Sequence, residues 1–214
     1  MKPNTHIAFD LDGTLINSID LMQKSWNHAT SKLGINVRFS QYREYIGIPF
    51  RDIIKKLNLE DDYNELYKLY FEFNKKHCSE INLNNGVKEI IEYLNISNIK
   101  WSIITSKPKE SSLEILKCFN LVPEYIICPE DVTNGKPNNE SIIKLKERAN
   151  LKHNTKIYYV GDMLSDLLFS VESNVEYIHY AGGIDGPLNA NIMNNFHQID
   201  DLMEIKSIMS CRLD

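Results

Sequence analysis

From residue 86 onward the hydrophobic rhythm switches repeatedly between helical and strand periods, and this constrains the fold more than any other feature of the chain. Helical spacing over 86–95 leads into an apolar strand at 99–105. The step recurs as 110–118 into 124–128, 139–149 into 156–160 and 164–172 into 175–179, and a last helix occupies 201–209. Helices of this length between short buried strands read as βαβ units, which build a parallel sheet covered by helices. The run at 5–10 supplies a first strand. The expected class is α/β, a Rossmann-like doubly wound parallel sheet.

One stretch breaks the scheme. Between about 17 and 84 the pattern is helical throughout. It begins with a helix from Ile19 to Leu33, with Ser18 as N-cap and Gly34 as terminator. A short helix follows from Arg51 to Leu57. Tyr63, Leu66, Tyr67, Tyr70 and Phe71 then fall at i, i+3, i+4, i+7 and i+8. That aromatic stripe reads as core packing. The chain therefore divides into an α/β core of 1–16 and 85–214 and an inserted helical domain of 17–84.

The first strand ends in Asp10-Leu11-Asp12-Gly13-Thr14. Gly13 turns the chain sharply and leaves both carboxylates at the strand's C-terminal tip, where open α/β sheets bind ligands. Two acids so placed repel each other and call for a cation, a proton or both. Three more features fall where the scheme puts strand ends. Thr105-Ser106 precedes a helix and offers hydroxyls and N–H groups to an anion. Lys136 in Gly135-Lys136-Pro137 is a fixed positive charge, with Pro137 near helix position N1. Gly161-Asp162-Met163-Leu164-Ser165-Asp166 adds two carboxylates. Each alone is commonplace; the ordered set at one sheet edge is not.

Composition supports a full core and narrows the partners. Of 214 residues 43% are hydrophobic, and the net charge of −5 comes from interspersed signs, which argues against a nucleic-acid binder. Residues 1–30 show no export signal, and no apolar stretch approaches a membrane span, so a cytoplasmic protein with no membrane partner is expected. Cys78, Cys118, Cys128 and Cys211 form no C-x-x-C pair and are expected to be buried, reduced thiols. Nothing in the sequence sets an oligomeric state.

Asp10-Leu11-Asp12-Gly13-Thr14, Thr105, Lys136 and Gly161-Asp162-x-x-x-Asp166 together resemble the four motifs of the haloacid dehalogenase-like hydrolase superfamily. The resemblance is to its phosphoglycolate phosphatase/β-phosphoglucomutase-like phosphatases, which carry a helical cap after the first strand. It spans nearly the whole chain. Asn139 and Asn174 depart from residues common in the family, outside the catalytic set. The resemblance implies a magnesium-dependent phosphatase for a small phosphorylated metabolite, with Asp10 as nucleophile and Asp12 as proton donor and then base. It assigns Mg²⁺ to the carboxylates of Asp10 and Asp162 and the backbone carbonyl of Asp12. Asp166 stands behind these, holding a water on the metal or Lys136. Thr105, Ser106 and Lys136 bind the phosphate.

An acid at Asp12 points to phosphate-ester chemistry over the family's other reactions. Mutase-like relatives place basic residues where this chain has Ile46 and Phe50, with Arg51 shifted by one. That weakens the alternative of a hexose phosphomutase. Intact motifs weaken the further alternative of a non-catalytic binding protein. Arg51, Asn17 and Asp20 are candidate contacts to the leaving group.

Overall fold

The computed structural model describes residues 5–189 and 196–210. Its described strands include β1 (Thr5–Phe9), β2 (Ile16–Asn17), β3 (Asn82–Leu83), β4 (Lys100–Ile104), β5 (Ile126–Ile127), β6 (Lys156–Gly161), β7 (Glu176–Tyr180) and β8 (His197–Ile199). The helices are α1 (Ile19–Leu33), α2 (Phe39–Arg43), α3 (Phe50–Lys56), α4 (Tyr63–Lys76), α5 (Val87–Ile96), α6 (Lys109–Phe119), α7 (Glu140–Arg148), α8 (Leu164–Glu172) and α9 (Ile205–Ser210).

Six strands form one sheet in the order β5-β4-β1-β6-β7-β8, each pair parallel. The expected Rossmann-like sheet is thus observed, with β1 at its centre between β4 and β6. The chain winds outward through β4 and β5, then crosses back over β1 to β6. That reversal puts a crevice at the C-terminal tip of β1, the usual ligand position in such sheets. Ile7 and Phe9 pack into one hydrophobic cluster and Ala8 into another, so β1 is buried on both faces, as a central parallel strand must be.

The segment between β2 and β3 has a core of its own. Met22, Trp26 and Ala29 of α1 meet Phe39, Tyr42, Phe50, Ile54, Leu66 and Tyr70. Trp26 stacks on Tyr42 with ring centroids 4.5 Å apart, and Phe50 lies 5.1 Å from Tyr70. The aromatic stripe on α4 therefore packs as expected, while its Tyr70 and Phe71 also face a cavity described below. Both ends of the segment meet in a two-strand antiparallel pair, Ile16 against Leu83 and Asn17 against Asn82. Asn84 ties this seam to the sheet edge, its Nδ2 donating to the carbonyls of Gly13 (2.7 Å) and Thr14 (2.9 Å).

Several local expectations need correction. Ser18 does not cap α1 through its side chain, because its backbone (φ −111°, ψ −2°) is not in the extended region an N-cap requires. Gly34 does end α1 in the left-handed conformation, at φ 69°. Pro137 lies ahead of α7; the helix starts at Glu140, whose N–H donates to Asn138 Oδ1 at 3.0 Å. The final helix opens as a 3-10 turn at Leu202–Glu204, with Asp201 Oδ1 accepting from Met203 N at 2.8 Å, before α9 begins.

The thiols also differ from expectation. Cys128 is buried, but Cys78 is half-buried and Cys118 exposed, because Cys118 lies off the buried Ser112-Ile115-Leu116 stripe of α6. The Sγ atoms of Cys78 and Cys118 stand 3.7 Å apart. Cys211 lies outside the described residues. No helix among the described residues is long and apolar enough to cross a membrane.

His6, buried on β1, has Nε2 2.9 Å from Ser102 Oγ. Burial lowers its pKa to about 4, with Lys100 adding to the effect. A histidine whose folded pKa falls below its unfolded 6.5 costs stability as pH drops below 6.5, and the cost stops growing near pH 4. The loss should reach on the order of 3 kcal/mol at pH 4. His6→Gln, which keeps a partner for Ser102, is expected to flatten that part of the urea-midpoint profile between pH 7 and 4. An unchanged difference between the two pH values would remove His6 as its source.

Candidate active site

Asp10 follows the last residue of β1, and its N–H donates to Val160 O of β6 at 2.8 Å, so the strand pairing holds its backbone. Its Oδ1 accepts from Lys136 Nζ at 2.7 Å. The same ammonium donates to Asp166 Oδ1 at 2.8 Å and to the Tyr159 hydroxyl at 3.0 Å. Lys136 is only 4% exposed, so three buried oxygens have replaced its water. Burial alone would lower its pKa, but the charges of Asp10 and Asp166 outweigh that and raise it. It is a permanent cation.

Asp162 is fully buried at the tip of β6. Its Oδ1 accepts from Thr14 Oγ1 at 2.8 Å and its Oδ2 from Ile184 N at 2.7 Å. Asp166, in the first turn of α8, turns back so that Oδ2 accepts from the N–H groups of Asp162 and Met163, each at 3.2 Å. Gly13, at φ 89°, makes the close approach possible: a Cβ there would collide with the Asp162 carboxylate.

Three carboxylates therefore converge. One oxygen from each of Asp10, Asp162 and Asp166 lies within 4.8 Å of the others. Burial pushes Asp10 up to about 7, against the pull of Lys136 and with the repulsion of Asp166. Burial, then Asp166 and Asp10, push Asp162 well above the carboxylate range. The cluster holds three acids against one lysine, and its donors are hard oxygens. That excess negative charge and donor chemistry fit a divalent cation such as Mg²⁺.

Asp12 points elsewhere. Its two carboxylate oxygens lie 3.2 and 3.3 Å from Lys107 Nζ. Lys107 was not among the residues expected from sequence. It is 7% exposed and follows Thr105 by two positions, with its N–H donating to Thr105 Oγ1 at 3.1 Å. The signal was Pro108, which disfavours helix in the preceding residue and so delays α6 until Lys109. Tyr159 was also missed; a tyrosine in a buried strand carries no pattern that announces a site.

Asp10, Asp12, Thr105, Ser106, Lys107 and Lys136 line one cavity beneath the helical segment. Ser106 Oγ is engaged there, donating to Gly47 O at 2.6 Å and tying the sheet edge to that segment. Asn17 and Asp20 lie elsewhere, on a polar groove beside Gly183 and Ile184. Asp20 is on the outward face of α1, whose inward face carries Met22 and Trp26, and Asn17 is the exposed second residue of β2. Arg51 is exposed on α3 and is not among the cavity residues. None of the three lines the cavity that holds Asp10 and Lys136.

The haloacid dehalogenase-like hydrolase family model matches residues 7–180. Among curated relatives, a pyrophosphatase from Halalkalibacterium halodurans is 33% identical over 181 residues, 82% of each chain. A phosphorylated carbohydrates phosphatase from Thermotoga maritima is 26% identical over 180 residues, 81% of this chain and 83% of the other. The crystal structure of a hydrolase from Pseudomonas syringae superposes with a TM-score of 0.85 at 21% identity, covering 98% of this chain and 99% of the other. The family match, with these acids at the C-terminal edge of a parallel sheet, identifies a hydrolase with an α/β fold. The chain belongs to the haloacid dehalogenase-like hydrolase family.

Proposed function

We propose that this hydrolase is a phosphatase acting on small phosphate monoesters through a covalent aspartyl-phosphate on Asp10, with Mg²⁺ as cofactor. The observation that carries the reading is Lys136, held between Asp10 and Asp166 at 2.7 and 2.8 Å in the cavity that Asp12 and Thr105 also line. The pyrophosphatase and phosphatase names of the relatives support it. Residues 17–84 act as a cap over the site, and 1–16 with 85–214 form the hydrolase core.

In this reading an Asp10 oxygen bonds to phosphorus as the ester oxygen leaves with a proton from Asp12. Asp12 then takes a proton from water, whose oxygen attacks the phosphorus and returns Asp10 to a carboxylate. Lys136 and Thr105 hold the transferring oxygens, and Lys107 orients Asp12. Asp166 fixes Lys136. Asp10 and Asp162, with the carbonyl of Asp12, would hold Mg²⁺, which offsets charge developing on the phosphoryl oxygens when bound. A hexose phosphomutase would need cations for a second phosphate; on the helical side of the cavity no lining residue among those described is charged.

EDTA treatment followed by desalting is expected to lower turnover of p-nitrophenyl phosphate to background, and millimolar Mg²⁺ to restore it. Mg²⁺ should also raise the midpoint of thermal unfolding, since neutralising the buried acids favours the folded chain. Activity that survives chelation, with no shift in melting, would overturn the metal assignment.

A further inference from the structure

We propose that the enzyme selects monophosphate esters whose leaving alcohol is apolar and uncharged, and rejects compounds carrying a second anionic group beyond the ester oxygen. The proposal rests on the phosphatase reading and concerns the half of the cavity in which that reading places no catalytic group. That half comes from the segment between β2 and β3 and includes Met22, Tyr42, Ile46, Phe50, Tyr70 and Phe71. None bears a formal charge. Their only side-chain oxygens are the phenols of Tyr42 and Tyr70, buried and 3.4 Å apart, with Tyr42 donating. Burial raises the pKa of both phenols, and the charge of Asp12 adds to this, so they remain neutral.

Among the described residues, the cations lining the cavity are Lys136 and Lys107. Lys136 is bound to Asp10 and Asp166, and Lys107 to both oxygens of Asp12. A phosphate on Asp10 draws on Lys136. A second anion farther out would meet aromatic and aliphatic carbon, where an unpaired charge loses its hydration without return. Borrowing Lys107 would strip Asp12 of its partner. An apolar alcohol instead sheds its hydrating water against that surface, which favours binding.

Butyl phosphate and 4-(phosphonooxy)butanoate test this directly, because both lose a primary alcohol of equal length and differ at the far end. With Mg²⁺ present, kcat/KM for butyl phosphate is expected to exceed that for the carboxylate and for pyrophosphate by roughly 100-fold. Equal or reversed values, with p-nitrophenyl phosphate still hydrolysed, would overturn the proposal and leave the phosphatase reading standing. Failure to hydrolyse any of the four would overturn both. Ile46→Lys and Met22→Lys, on separate parts of the helical surface, each introduce an ammonium there. In a variant that melts cooperatively, the ratio between the two butyl compounds should fall about tenfold; an unchanged ratio in both would remove this surface as the source of selection. The wild-type comparison decides the matter if neither variant folds.

Discussion

Asp10→Asn is expected to lower kcat for p-nitrophenyl phosphate by about 10⁴-fold or more, because an amide oxygen is too weak a nucleophile to bond to phosphorus. The substitution nearly preserves shape, and the amide oxygen can still accept from Lys136. Stability should move the other way. The folded pKa of Asp10, about 7, lies above the 3.8 of the unfolded chain, so ionising it opposes folding. Stability carried by the neutral form is lost as pH rises from about 4 through 7. At pH 8 without metal, Asp10→Asn removes that cost, and its melting temperature should equal or exceed the parent's. A dead but stable variant is therefore the expected pair of results. Retained turnover would remove Asp10 as nucleophile. A dead variant that has also unfolded would contradict the electrostatics of the cluster.

The second large effect lies at Lys136. Lys136→Met should reduce kcat/KM by about 10³-fold, since the transferring oxygens lose a fixed positive donor. It should also destabilise the protein by about 3–5 kcal/mol, the typical cost of removing one partner from a buried ion pair. Asp10 and Asp166 would then face each other without the cation that both contact. The penalty should shrink at low pH, where Asp10 takes up a proton. Urea denaturation at pH 8 and pH 5 measures the difference. A variant as stable as the parent at pH 8 would mean that Lys136 does not hold the pair together.

These effects trace to residues whose convergence was legible in the chain. The strand–helix rhythm places Asp10, Thr105 and Asp162 at one sheet edge, because every parallel strand ends on the same side. Asp12, Lys136 and Asp166 gather there too. A period shows only when it repeats several times, and β2, β3, β8 and α2, at two to five residues each, span fewer than two periods. Lys107 looked like an ordinary lysine because its partner is 95 positions away. The Cys78–Cys118 pair, 40 positions apart, escaped for the same reason. Asn17, Asp20 and Arg51 show the opposite relation, near the motifs in sequence but outside the cavity lining. Asp20 and Arg51 are on exposed faces of α1 and α3, and Asn17 is exposed on β2.

The seam at β2 and β3 has a consequence for descent. The chain leaves the sheet at Ile16-Asn17 and returns at Asn82-Leu83, and these two crossings are paired side by side. A recombination event with breakpoints there would exchange everything between them while leaving the order and register of the six-stranded sheet intact. Asp10, Lys107, Lys136, Asp162 and Asp166 all lie outside the exchanged stretch, whereas Met22, Ile46 and Phe50 lie within it. On the proposed roles, reactivity and choice of alcohol are then separable by exchange at this seam. The same arrangement marks where a chimera should be cut.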